Sequence, residues 1–162
     1  MNTLRALRKT ARPRLLAALT LLLACGACAP RIEPPARRGV QRRQVVSLAL
    51  SLAGIPYVYG GSDIDGFDCS GLVFYVYDCF GIRLPRSARE QARLPWAVRP
   101  GHAAPGDILV FKLKQAWHSA IYLGEGRFVH APNAEGWVRL ETLNEYWSSR
   151  LQAVIAVLPG NG

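Results

Sequence analysis

Three side chains stand out by type and position: Cys69, His118 and His130. Cys69 lies in Asp68-Cys69-Ser70-Gly71, just ahead of a strongly apolar run that includes Leu72, Val73, Tyr75, Val76 and Phe80. That run reads as a buried helix over residues 70–80, ended by Gly81. A cysteine at a helix start meets free N–H groups and the positive end of the helix dipole, and both favour the reactive thiolate. Asp68 or Ser70 can cap the same turn. The structural rival for such a cysteine is a disulfide, with Cys79 as partner. On one helix the two cysteines would be ten residues apart, or ~15 Å at the α-helical rise. A disulfide needs Cα atoms within ~7 Å. Cys79 is therefore expected as a buried free thiol on the apolar face.

A thiol nucleophile needs an imidazole, and the imidazole needs an orienting group. His118 and His130 fall on consecutive predicted strands, each six residues from Gly124 in the loop Gly124-Glu125-Gly126. A tight hairpin sets them opposite each other, within about one residue of register. Cross-strand neighbours lie ~4.5–5.5 Å apart at Cβ, so the two rings can meet. Together the three residues form a Cys-His-His constellation for acyl transfer. A zinc site from the same three lacks the paired short spacing that announces a metal, and neither metal nor cofactor is expected. His102, in a Pro- and Gly-rich loop, reads as surface.

The elements that must position these groups follow from pattern. A first helix covers residues 45–52 and is stopped by Gly54 and Pro56. A short helix follows at 87–93. Strands are expected at 107–111, 119–123, 127–131, 137–140 and 153–158. Helices first and an antiparallel sheet second is an α+β order. Trp96, Trp137 and Trp147 are read as core.

The formal net charge is +9, and residues 1–43 carry all of it, with ten basic side chains against Glu33. Residues 44–162 are balanced, so a nucleic-acid domain, which needs its basic excess on a folded face, is not expected. Residues 1–24 read as a signal peptide, with a basic segment from Arg5 to Arg14 and the ten-residue apolar run LLAALTLLLA. Ten residues are too few to span a bilayer. Leu22-Leu23-Ala24-Cys25 resembles a bacterial lipoprotein processing site, with Cys25 as the lipidated residue and Cys28 as the alternative. An ordinary secretory cleavage at Ala24 or Ala27 is the other reading. No Asp follows Cys25, which resembles an outer-membrane sorting context, and the expected location is the periplasmic side of that membrane. Residues 25–43, rich in Pro and Arg, read as a tether. The domain then covers residues 44–162, expected as a monomer.

The segments GIPYVYGG (54–61), DGFDCSGLV (65–73), GIRLPRSAREQ (81–91), PGDILVF (105–111) and HSAIYLGEGRFVHAP (118–132), with the closing apolar strand, resemble the NlpC/P60 cell-wall peptidases in content and order. The resemblance implies a papain-like α+β fold, with Cys69 as nucleophile, His118 as base and His130 as polar third member. It implies a peptidoglycan peptide as substrate, cut at a D,D cross-link or at a γ-D-glutamyl-diaminopimelate bond. The short tether favours the cross-link endopeptidases. Tyr57 resembles the family tyrosine that helps hold the oxyanion. Ser70, Asp68 and Arg86 are carried over as substrate-binding candidates, each with a bracing role as the rival, and Gln91 likewise. Asp107 reads as a strand-start residue. Trp117 and the pair Ser119-Ala120, where Val-Gly is commoner, depart from the pattern. The competing functions are a papain-like acyltransferase, a non-catalytic wall-binding module and an amidase-type effector.

Overall fold

The computed structural model describes residues 42–133 and 136–158. The expected signal segment, the lipidation residues Cys25 and Cys28, and the tether up to residue 41 lie outside the described residues.

Helix α1 (Arg42–Ser51) starts earlier than the apolar pattern suggests. The reason is Arg42, read from sequence as tether. It is buried and forms an ion pair with Asp107 at 2.6 Å, and also donates to the carbonyls of Pro105 and Leu158. A basic residue in a charged, Pro-rich stretch gives no sign of such a partner 65 residues away. A small hairpin, β1 (Ser62–Asp63) and β2 (Gly66–Phe67), leads into α2 (Cys69–Asp78). Then come α3 (Ala88–Gln91), β3 (Ala97–Val98) and a 3-10 turn, Pro100–His102, whose His102 is exposed as expected. The remaining elements are β4 (Ile108–Lys112), β5 (Trp117–Gly124), β6 (Arg127–His130), β7 (Arg139–Thr142), α4 (Glu145–Ser148) and β8 (Leu151–Ile155).

Six strands form one antiparallel sheet in the order β3-β8-β4-β5-β6-β7. Alternation divides its side chains between two cores. Ile108, Val110, Ile121, Val129 and Ile155 face a core closed by Val45 and Ala49 of α1 and by Leu72, Val73 and Val76 of α2. Leu109, Phe111, Ala120, Phe128 and Val154 face a second core closed by Trp147 of α4. The fold is α+β. The loop joining β5 and β6 turns through Gly124, Glu125 and Gly126, all at positive φ, and two glycines make that conformation affordable.

Two expectations fail on burial. Cys79 is exposed, not buried: helix α2 stops at Asp78, and Cys79 caps it, beyond the face that packs on the sheet. Trp137 is 52% exposed, because residue 137 precedes β7 and joins only an isolated bridge to Pro56. The strand begins at Arg139 rather than 137.

Candidate active site

Helix α2 carries Cys69 as its first residue, on the side of the sheet that holds the first core. Asp68 is the N-cap, in extended conformation, and accepts from the Gly71 N–H at 2.7 Å. Arg86 grips Asp68 with both arms, Nη1 to Oδ1 at 2.9 Å and Nη2 to Oδ2 at 2.8 Å. Its Nη2 also reaches the Gly61 carbonyl and its Nη1 the Ser70 hydroxyl. Burial pushes the Asp68 carboxyl up, but the Arg86 and Gly71 hydrogen bonds outweigh it and hold it below the usual range. Asp68, Ser70 and Arg86 thus brace the turn under Cys69. The buried Gln91 joins them, with Nε2 donating to the carbonyls of Ser70 and Pro85.

His118 and His130 lie on the opposite face, the face of Phe111 and Phe128. His118 Nε2 meets His130 Nδ1 at 2.8 Å. The register differs from the expected opposition. Ile121 pairs with Val129 and Tyr122 with Phe128, with an irregularity next to Gly124. Continued one step, that register sets His130 against Ala120, so the two histidines are diagonal neighbours, two residues apart. Diagonal neighbours remain within reach of long side chains.

A thiol on one face meets an imidazole on the other because the sheet opens. β5 runs on to Trp117, whereas its pairing with β6 ends at Ile121 and Val129. Tyr122 makes its backbone bonds toward the β4 side, so by alternation Trp117 and Ser119 turn theirs toward the opening. There the Cys69 sulfur lies 4.0 Å from the Trp117 carbonyl, and the Ser119 N–H donates toward it. Cys69, His118 and His130 line one cleft of about 650 Å³, with Tyr57, Asp68, Ser70, Arg89, Trp117, Arg139 and Trp147 among its other walls.

Burial sets the protonation states. It pushes the Cys69 thiol up, against the lowering effect of the Ser119 and Ser70 N–H groups. It pushes His118 down to about 4, opposed by the Asp68 charge. His130 falls to about 3 through burial, His118 and the nearby Arg139. Burial thus favours the uncharged form of each partner, thiol and imidazole. The helix-start argument for a ready thiolate is outweighed by desolvation. Tyr57, half-buried in the cleft wall, has its hydroxyl pushed up by burial and then by the nearby Cys69.

Sequence reasoning left Trp147 as plain core. It stacks at 5.6 Å and 30° on His118 and edge-on at 5.2 Å to His130, on a four-residue helix capped by Asn144. Four residues are too few to show helical periodicity, so only the Asn144 cap could have hinted at it. Arg89 and Arg139 were missed as well.

Residues 54–156 match the NlpC/P60 family model. The chain belongs to that family. It is 42% identical over 116 residues to the gamma-DL-glutamyl hydrolase of Bacillus subtilis, across 68% of this chain and 28% of that one. To the probable endopeptidase NlpC of Escherichia coli it is 32% identical over 137 residues, across 80% and 89%. The NlpC/p60 domain of peptidoglycan hydrolase SagA superposes with a TM-score of 0.64 at 29% identity, across 72% of this chain and 99% of that one. The chain spans 26–28% of the length of the first curated relatives it matches. The match of this NlpC/P60 domain begins at Gly54, so α1 and its Arg42 anchor lie outside it. Among its described residues Cys69 and Cys79 are free thiols, and no cluster of three or more His, Cys, Asp or Glu is arranged to hold a metal.

Proposed function

We propose that this chain is a cysteine peptidase acting on the peptide part of peptidoglycan. One observation carries the reading: the Cys69 thiol enters the opening beside β5, in the same cleft as His118, whose far nitrogen is held by His130 at 2.8 Å. The names of the relatives, an endopeptidase and a peptidoglycan hydrolase among them, support the substrate class.

With Nε2 occupied, His118 has Nδ1 left for the thiol. For Nδ1 to accept, Nε2 must carry the proton and donate to His130 Nδ1; His130 thereby fixes the tautomer. The reaction then starts from neutral partners. His118 takes the Cys69 proton as the sulfur attacks the scissile carbonyl. The Cys69 N–H and the Tyr57 hydroxyl stabilise the oxyanion, one such donor being worth ~3–4 kcal/mol. His118 returns the proton to the leaving amine. Water, deprotonated by His118, then hydrolyses the thioester and frees Cys69. Asp68, Ser70 and Arg86 hold the nucleophile's turn in place.

Cys69→Ala and His118→Ala are each expected to abolish release of muropeptides from purified sacculi. Wild-type release by Cys69→Ala would overturn the assignment. Mass spectrometry of the new termini identifies the bond, cross-link or γ-D-glutamyl. An N-terminal lipid on Cys25, with Cys28 as the alternative, is proposed to hold the domain at the periplasmic face of the outer membrane. Support comes from the apolar run and the Leu-Leu-Ala-Cys sequence that follow the basic segment. Cys25→Ser is then expected to move the protein from the membrane to the soluble fraction, and retention with an unmodified Cys25 rejects that site.

A further inference from the structure

The walls of the cleft carry three charged side chains, Asp68, Arg89 and Arg139. Two are answered within the protein. Asp68 is held by both arms of Arg86, and Arg139 pairs with Glu141 at 2.6 Å. Arg89 is exposed and has no hydrogen-bond or ion-pair partner among the described residues. Its acidic neighbour is engaged elsewhere, since the Glu90 carboxylate accepts from the Ser87 hydroxyl at 2.6 Å. The cleft wall therefore presents one unanswered positive charge.

That charge stands on a fixed base. α3 is closed at its start by Ser87, whose hydroxyl accepts from the Glu90 N–H and donates to the Glu90 carboxylate. Gln91, fully buried, bonds to the Ser70 carbonyl, one residue past the nucleophile. Arg89 is thus tied through its own four-residue turn to the turn that carries Cys69. Arg86, a substrate-binding candidate with a bracing role as its rival, is committed to Asp68. Arg89 is the guanidinium left free to bind substrate.

We infer that Arg89 is a specificity-determining residue that binds a free carboxylate of the stem peptide; this rests on the peptidase reading above. A γ-linked D-glutamyl residue leaves its α-carboxylate free, and diaminopimelate carries a carboxylate that the chain does not use. Either offers the planar anion that a guanidinium fork recognises.

The test uses four muropeptides: unmodified, amidated at the glutamyl α-carboxylate, amidated at the diaminopimelate carboxylate, and amidated at both. The full chain is expected to favour the peptide with the recognised carboxylate by about tenfold in kcat/KM, mainly through KM. The singly amidated peptides show which carboxylate it is. Arg89→Gln levels the four, and Arg89→Lys keeps part of the preference. Equal turnover of all four by the wild type overturns the inference. So does an Arg89→Gln loss of the same size on all four, which would mark a structural role. Calorimetric binding of the same peptides to Cys69→Ala separates the two readings. Binding that depends on Arg89 and on the free carboxylate, without turnover by the wild type, upholds Arg89 and rejects the peptidase. Neither binding nor turnover rejects both.

Discussion

His118 and His130 are buried as neutral rings, at about 4 and about 3, against an ordinary value near 6.5. The unfolded chain therefore binds protons between about pH 6.5 and 4 that the folded chain does not. Stability rises with pH where the unfolded state holds more protons, so it is level around neutrality and falls as the solution is acidified through that window. The loss is on the order of a few kcal/mol. Asp68, held low, adds its own loss only below the ordinary carboxylate range. Thermal melts from pH 8 to 4 check this: the midpoint is expected to hold to about pH 6.5 and then drop. The double substitution His118→Asn with His130→Asn is expected to flatten the drop; an unchanged slope would place the buried protons elsewhere. The same low values keep His118 ready as a base well into the acidic range.

At the scale of elements, the first turn of α2 sets the site. Gly71 lies there, pressed against the Gly61 carbonyl and the Arg86 guanidinium, and a Cβ would run into that carbonyl. Helix propensity alone favours alanine over glycine by about 1 kcal/mol. The packing reverses the sign. Gly71→Ala is expected to destabilise by about 1–3 kcal/mol, as overpacking does, and to lower turnover by shifting Cys69. Urea unfolding and sacculus digestion read the two effects, and a stabilised variant would show that the turn can yield. The opening between β5 and β6 is the other decisive element. It lets a helix on one face and a strand on the other share a cleft.

For the whole molecule, the Arg42–Asp107 pair joins the start of α1 to the entry of β4, and Arg42 reaches on to the Leu158 carbonyl after β8. Tyr77 of α2 donates to the Gly106 carbonyl beside it. Removing one partner of a buried pair leaves the other charge uncompensated, typically at 3–5 kcal/mol. Arg42→Ala is therefore expected to lower Tm by on the order of 10 °C, while the cleft, on other elements, keeps its arrangement. A melt unchanged by Arg42→Ala would show that water compensates Asp107.

Local chemistry carried what the sequence determined: the α+β order, the capped cysteine at a helix start, the loop at Gly124-Glu125-Gly126 and the meeting of the histidines. These depend on periodicity, capping and turn residues, which act over a few neighbours. The tertiary structure decided what depends on distant groups. It drew Arg42 out of the tether to Asp107, committed Arg86 to Asp68, and stacked Trp147 on His118 with its edge to His130. It also set burial, which raises the Cys69 thiol, against the helix-start preference for a thiolate. Desolvation is a property of everything packed around a side chain, and no spacing along the chain encodes it.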